Sequence, residues 1–230
     1  MKKDQNAPII VTFIGPVGVG KTTQMRLLEK YLESKNRKTM KTFIKSAHGL
    51  SYILLKTFRV LGITRKRTGE DGIDTYSSSL NFQKRITPLW NLFEIISIVG
   101  KFFFTVYLPY KLGYDILIEE GLNMSIEHYK LFRPHYYGVE PSQPPLLDAL
   151  LSWITSRKHL DIVLNARDQD VIERRMSRTF RRYETNKYIE LQRKAISTMR
   201  GPEFFYIDTS GKSIYTVHIT ILDQVESRIL

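Results

Sequence analysis

Apolar and polar positions along this chain fall into alternating blocks of strand and helix period. Residues 9–14, Ile-Ile-Val-Thr-Phe-Ile, form an unbroken apolar run rich in β-branched residues, which predicts a first strand over 8–14. A glycine-rich turn follows. From Met25 the apolar residues recur at helical spacing through Leu28 and Leu32, predicting a helix to about Ser34 that Asn36 closes. Residues 37–44 read as a second strand with charged ends. Leu50, Ile53, Leu54, Phe58 and Leu61 then share helical spacing, predicting a helix over 49–61. The polar, charged, glycine-containing stretch after it reads as a flexible loop over about 64–79. A long helix is expected over 80–109, kinked near Gly100, and a buried-type strand over 114–118 ends at Glu119-Glu120-Gly121. The second half continues with a helix over 122–132, a proline- and aromatic-rich loop over 133–145, a helix over 146–156 and a strand over 159–165. Asp168 is the expected N-cap of a basic helix reaching Arg182. A helix over 185–200, a strand over 203–208, a turn at Thr209-Ser210-Gly211 and a closing helix over 214–229 complete the chain. Strands alternating with helices predict an α/β fold whose parallel sheet is covered on both faces. In such sheets ligands bind beyond the carboxyl ends of the strands.

The most apolar stretch, 89–108, is long enough for a membrane span. Glu94 and Lys101 lie inside it and Pro88 and Pro109 bracket it, and charges at that depth are costly in lipid. The reading is a long core helix with snorkelling charges, and no transmembrane segment is expected. The polar amino-terminal arm carries no signal-peptide core. The chain has 230 residues and no cysteine, which suits one domain over 1–230 and excludes disulfides, thiolate metal sites and a cysteine nucleophile. Both features fit a cytoplasmic location. The formal net charge of +12 is read first as a solvated basic surface plus arginines that handle phosphate. A nucleic-acid partner is disfavoured but left open, because no nucleic-acid motif accompanies the charge, and an acidic membrane surface is a third reading.

The chemistry concentrates in the first turn. Gly15-Pro16-Val17-Gly18-Val19-Gly20-Lys21-Thr22-Thr23 completes the spacing G-x-x-x-x-G-K-T between a strand and a helix. Glycines bring backbone N–H groups close to an anion, and the helix start adds its positive end. Lys21 then reaches terminal phosphates, and the Thr22 hydroxyl is a ligand for Mg²⁺. A phosphate enzyme also needs a carboxylate near the metal, and Glu119, at the end of an apolar strand, is the candidate. Arg174, Arg175, Arg178, Arg181 and Arg182 share helical faces at i, i+3 and i, i+4 spacing, which suits a segment that closes over phosphates. The five histidines show no metal-ligand spacing, and Tyr136-Tyr137 lies where a loop could line a pocket.

Together these pieces resemble the thymidylate kinase family of P-loop nucleoside monophosphate kinases. The resemblance rests on Phe13-Ile-Gly15-Pro-Val-Gly-Val-Gly-Lys-Thr-Thr-Gln24, the helix with Leu27-Leu28 and Tyr31-Leu32, and the strand ending at Glu119-Glu120. Asp161-Ile-Val-Leu164, Ile172-Glu-Arg-Arg-Met-Ser-Arg178, Arg182-Tyr-Glu184 and Tyr206-Ile-Asp208-Thr-Ser210 follow in the family's order. The resemblance implies a three-layer α/β/α P-loop fold with a five-stranded parallel sheet and an arginine-bearing lid, here about 168–200. It implies transfer of the γ-phosphoryl group of Mg·ATP to a small acceptor such as dTMP, and it admits a homodimer. By the same resemblance Arg178 and Arg182 fall near the lid arginines, and Thr209, Ser210 and Gly211 fall where the last loop borders adenine. Three departures bear on the acceptor rather than the donor. Val17 replaces the family's acidic loop residue, Glu119-Glu120 replaces its Asp-Arg pair, and Lys45-Ser46-Ala47-His48-Gly49 stands where an Arg-Glu-Pro segment is usual. An ATP-binding regulatory or adaptor protein and a nucleic-acid-stimulated ATPase are the alternative expectations.

Overall fold

The computed structural model describes residues 7–44, 49–62, 65–68, 74–77, 80–137, 140–176 and 186–228. Five parallel strands form the expected sheet: β1 (Ile10–Ile14), β2 (Thr39–Phe43), β5 (Asp115–Glu119), β6 (His159–Asn165) and β7 (Phe204–Asp208), in the order β2-β5-β1-β6-β7. Two further strands, β3 (Arg65–Thr68) and β4 (Asp74–Ser77), pair antiparallel with each other. They occupy the stretch read from sequence as a loop, whose polar composition hides the short ribbon.

The central strands β1, β5 and β6 are apolar almost without a break because both sheet faces are covered. Val11, Phe13 and Leu117 point to one side, where they meet Leu28 and Leu32 of α1 (Lys21–Ser34) and Val217, Ile221 and Val225 of α10 (Ile214–Arg228). Ile10, Ile116 and Ile118 point to the other. There they meet Ile98 and Phe102 of α3 (Leu80–Phe102), Leu122 and Ile126 of α5 (Gly121–Glu127), and Ile154 of α7 (Pro145–Thr155). The remaining helices are α2 (Leu50–Val60), α4 (Leu108–Lys111), α6 (Arg133–Tyr137), α8 (Asp168–Met176) and α9 (Asn186–Thr198).

The amino-terminal edge of the sheet is fastened by a buried ion pair. Asp115, at the start of β5, accepts from Arg37 Nε at 2.5 Å, from Arg37 Nη2 at 2.6 Å and from the Ile9 backbone N–H at 3.0 Å. One carboxylate thereby joins the starts of three strands. Its hydrogen bonds raise the Arg37 guanidinium above its ordinary range.

Two helices run on where prolines were expected to stop them. A π-helical turn, Phe103–Tyr107, joins α3 to α4 just before Pro109, and a second, His128–Phe132, joins α5 to α6 just before Pro134. A widened turn relieves the clash between a proline ring and the preceding carbonyls. Residues 133–137 are therefore helical rather than part of the expected loop.

The expectation of a core helix over 89–108 holds for one face only. Glu94, Ile98, Phe102 and Val106 are buried against the sheet side, whereas Leu92, Ile96 and Phe104 are exposed. The buried Glu94 carboxylate accepts from the Tyr129 hydroxyl at 2.7 Å, with Arg133 at 3.8 Å. Burial first, and that carboxylate second, push the Tyr129 hydroxyl above its ordinary range.

Candidate functional site

Ile14, Phe43, Glu119, Asn165 and Asp208 end the parallel strands on one edge, and the glycine-rich turn lies there. The turn fits because glycine occupies its tightest points. At Gly15 (φ 154°) an added Cβ would lie 2.3 Å from the Leu164 carbonyl oxygen. Gly20 (φ 102°, ψ 13°) takes the left-handed conformation that starts α1. Gly15→Ala is expected to lose on the order of 2 kcal/mol of stability, since a backbone carbonyl cannot swing aside, read as a shift in a urea unfolding midpoint.

Lys21 is 5% exposed and lies over the turn, donating to the carbonyl oxygens of Gly15 at 2.7 Å and Pro16 at 3.1 Å. The next residue faces the neighbouring strand: the Thr22 hydroxyl donates to Glu119, with Oε1 and Oε2 both at 3.1 Å. Two residues 97 apart in sequence are thus brought together. A hydroxyl and a carboxylate are hard oxygen donors, the set that suits Mg²⁺. Thr23 is exposed beside them, and the Val17 backbone N–H donates to Gln192 Oε1 at 3.2 Å. Gln192 lies on α9 and is fully buried, so that helix supports the loop from above.

The Thr209-Ser210-Gly211 turn meets the first loop through Thr209. Its hydroxyl donates toward Asn165 O at 3.1 Å and Val19 O at 3.4 Å. It accepts from Arg174 Nη1 at 3.0 Å, while Arg174 Nη2 donates to the Thr209 carbonyl at 2.8 Å. Ser210 donates to Asp208 through its hydroxyl at 2.6 Å and its N–H at 2.9 Å, and these bonds hold the Asp208 carboxyl below the usual range. Exposed Gly211 lies beside Arg167. Of the arginine cluster, the Arg174 side chain belongs to this junction. Arg178, Arg181 and Arg182, and the side chain of Arg175, lie outside the described residues, as do Lys45 to His48 and the side chains of Tyr136 and Tyr137.

Sequence reasoning did not single out Gln192 or Arg193, which donates to Ala166 O at 2.7 Å and pairs with Asp168 Oδ1 at 2.7 Å, tying α9 to the start of α8. Neither residue carries a local signal. Glu120 holds a further surprise: its φ of 70° and ψ of −52° place a non-glycine residue in sparsely populated space directly after the site carboxylate. Glu120→Gly should therefore be about 1 kcal/mol more stable than Glu120→Ala, which keeps the strained Cβ; thermal melts of the two variants compare them directly.

Beside Glu120 lies a small cleft of about 20 Å³ lined by Ile44, Met124, Ser125, His128, Phe132 and Tyr188. The His128 and Phe132 rings stack at 5.7 Å, and Tyr188 meets Phe132 edge-on at 5.5 Å. Among the described residues there is no cluster of three or more His, Asp or Glu side chains that could hold a metal ion.

No protein-family model matches the chain, and no curated protein matches it in sequence. Solved structures do match. Thymidylate kinase from Candida albicans superposes with a TM-score of 0.58 at 15% identity, over 96% of this chain and 92% of that one. Thymidylate kinase from Ehrlichia chaffeensis gives 0.51 at 15% identity, over 96% and 99%. Over nearly its whole length, the chain has the fold of the thymidylate kinases.

Proposed function

We propose that this protein is an ATP-dependent phosphotransferase that moves the γ-phosphoryl group of Mg·ATP to a small acceptor, a nucleoside monophosphate being the first class to test. The observation that carries the reading is the Thr22–Glu119 contact, with Lys21 held over the same turn. A lysine, a hydroxyl and a strand-end carboxylate gathered at one glycine turn are the parts that phosphoryl transfer needs. Lys21 neutralises the β- and γ-oxygens, while the backbone of Gly15 to Thr23 cradles the phosphates. Thr22 and Glu119 hold Mg²⁺ or its waters, and the ion supplies neutralisation of developing charge. Arg178 and Arg182 are the arginines assigned to neutralise the transferring group. Thr209, Ser210 and Gly211 border the donor base.

A second reading is favoured by one specific feature: the cleft carries Glu120 where an anionic acceptor would call for a cation. In that case the protein is an ATP-binding regulator that transfers little. A screen with γ-labelled ATP, Mg²⁺ and a panel of nucleoside monophosphates including dTMP decides between them. Stoichiometric labelling of one acceptor is the expected result. ATP binding by titration with no acceptor labelled would replace the kinase reading with the regulatory one.

A further inference from the structure

The long helical rod α3–α4 presents a surface that the proposed chemistry does not use. Its inner face is anchored through Glu94, Ile98, Phe102 and Val106, all buried. Its outer face shows Leu89, Leu92, Ile96, Phe103, Phe104 and Leu108, with Phe104 66% exposed. The stretch Ile86–Lys111 is long and apolar enough to cross a bilayer, yet only 22% of its most apolar window is buried in the fold. Crossing is ruled out within this fold, because Glu94 is hydrogen-bonded to Tyr129 beneath the helix and the inner face is packed on the sheet. A rod of this kind lies along a surface instead.

The charges around the face identify the surface. Between 86 and 112 the one acidic residue is Glu94, which is turned inward. The cations sit on aromatic rings: Lys101 lies 3.2 Å from the Phe43 centroid, Lys111 5.8 Å from Tyr107, and Arg157 5.1 Å from Trp153. Trp153 itself packs against Tyr107 and Tyr110 at the carboxyl end of the rod. Lys111 and Arg157 are exposed at that end, and an apolar stripe flanked by exposed cations has the composition of an interfacial helix, whose cations meet lipid phosphates.

We propose that the outer face of α3–α4 seats this protein on an anionic lipid surface, with the rod lying in the plane of the membrane interface. A second copy is the competing occupant. A two-fold contact through this face would bring two basic rods together with no outward carboxylate from residues 86–112 of either one between them. An anionic bilayer supplies the missing negative charge, and the net charge of +12 adds long-range attraction to it. The inference stands independently of the kinase reading.

Co-sedimentation of the full chain with lipid vesicles tests it. Binding to vesicles of phosphatidylcholine with phosphatidylserine should exceed binding to phosphatidylcholine alone by about tenfold or more, and should weaken with salt. The double substitution Phe103→Ser/Phe104→Ser removes exposed rings and should lower binding about tenfold while leaving circular dichroism and melting unchanged. Lys111→Glu should weaken binding to the anionic vesicles only. No binding to either vesicle, equal binding to both, or full retention by the double variant would overturn the proposal. A wild-type dimer that ignores vesicles and falls to monomers on the double substitution would assign the face to a second copy.

Discussion

Lys21→Ala is expected to lower phosphoryl transfer by about a thousandfold or more, equivalent to about 4 kcal/mol of transition-state stabilisation, with the fold intact. The side chain is nearly buried, and its ammonium lies over the turn, bonded to the Gly15 and Pro16 carbonyls. Those bonds hold the charge at the turn that, on the proposed function, would cradle the nucleotide phosphates. Removing it takes the donor from two buried carbonyl groups, a loss of about 1–3 kcal/mol of stability, so the melt should shift downward without loss of the fold. Lys21→Arg should not rescue turnover, since a wide planar fork does not fit where a compact ammonium lies between two adjacent carbonyls. Steady-state kcat and KM with the labelled acceptor, together with a thermal melt, give both readouts. Turnover within tenfold of wild type would remove Lys21 from the chemistry.

The largest stability effect is expected at the opposite edge of the sheet. Arg37→Ala should destabilise the fold by about 3–5 kcal/mol, because it strands the Asp115 carboxylate, which is 1% exposed. Against a typical total of about 5–15 kcal/mol this approaches global unfolding. The double substitution Arg37→Ala/Asp115→Asn should recover part of the loss: the charge is gone, and the amide oxygen still accepts from the Ile9 N–H that now bonds Asp115 at 3.0 Å. Urea unfolding of the single and double variants measures the difference. A single variant that loses less than 1 kcal/mol would show that the pair adds little to folding.

The features legible in the sequence were those whose signal is local. The G-x-x-x-x-G-K-T spacing located the loop because each residue there answers to its immediate neighbours. The strand ending at Glu119 was readable from a short apolar run, whereas its contact with Thr22 emerges only in the folded structure. The ion pair of Arg37 and Asp115 spans 78 residues, and no pattern at either end announces it. Gln192 is likewise invisible, since a lone glutamine in a helix looks solvated until the fold places it against Val17. Pro134 misled in the ordinary way: proline was taken as a stop, and the widened turn before it was not foreseen. The 80–111 rod was legible as a helix but not as a one-sided one. Burial depends on what the rest of the chain brings to each face, and nothing in the described structure covers the outer one.

The ion pair and the glycine-rich loop lie at opposite ends of strands five residues long, about 16 Å apart along the sheet. Perturbations separated by such a distance and sharing no partner combine additively. One rim of the sheet therefore functions as foundation and the other as a replaceable fitting. Substitutions at Val17 or Glu120, on the upper rim, leave the anchorage of the three strands below untouched. On the proposed function, a change of acceptor at that rim would draw nothing from the thermodynamic reserve at the other.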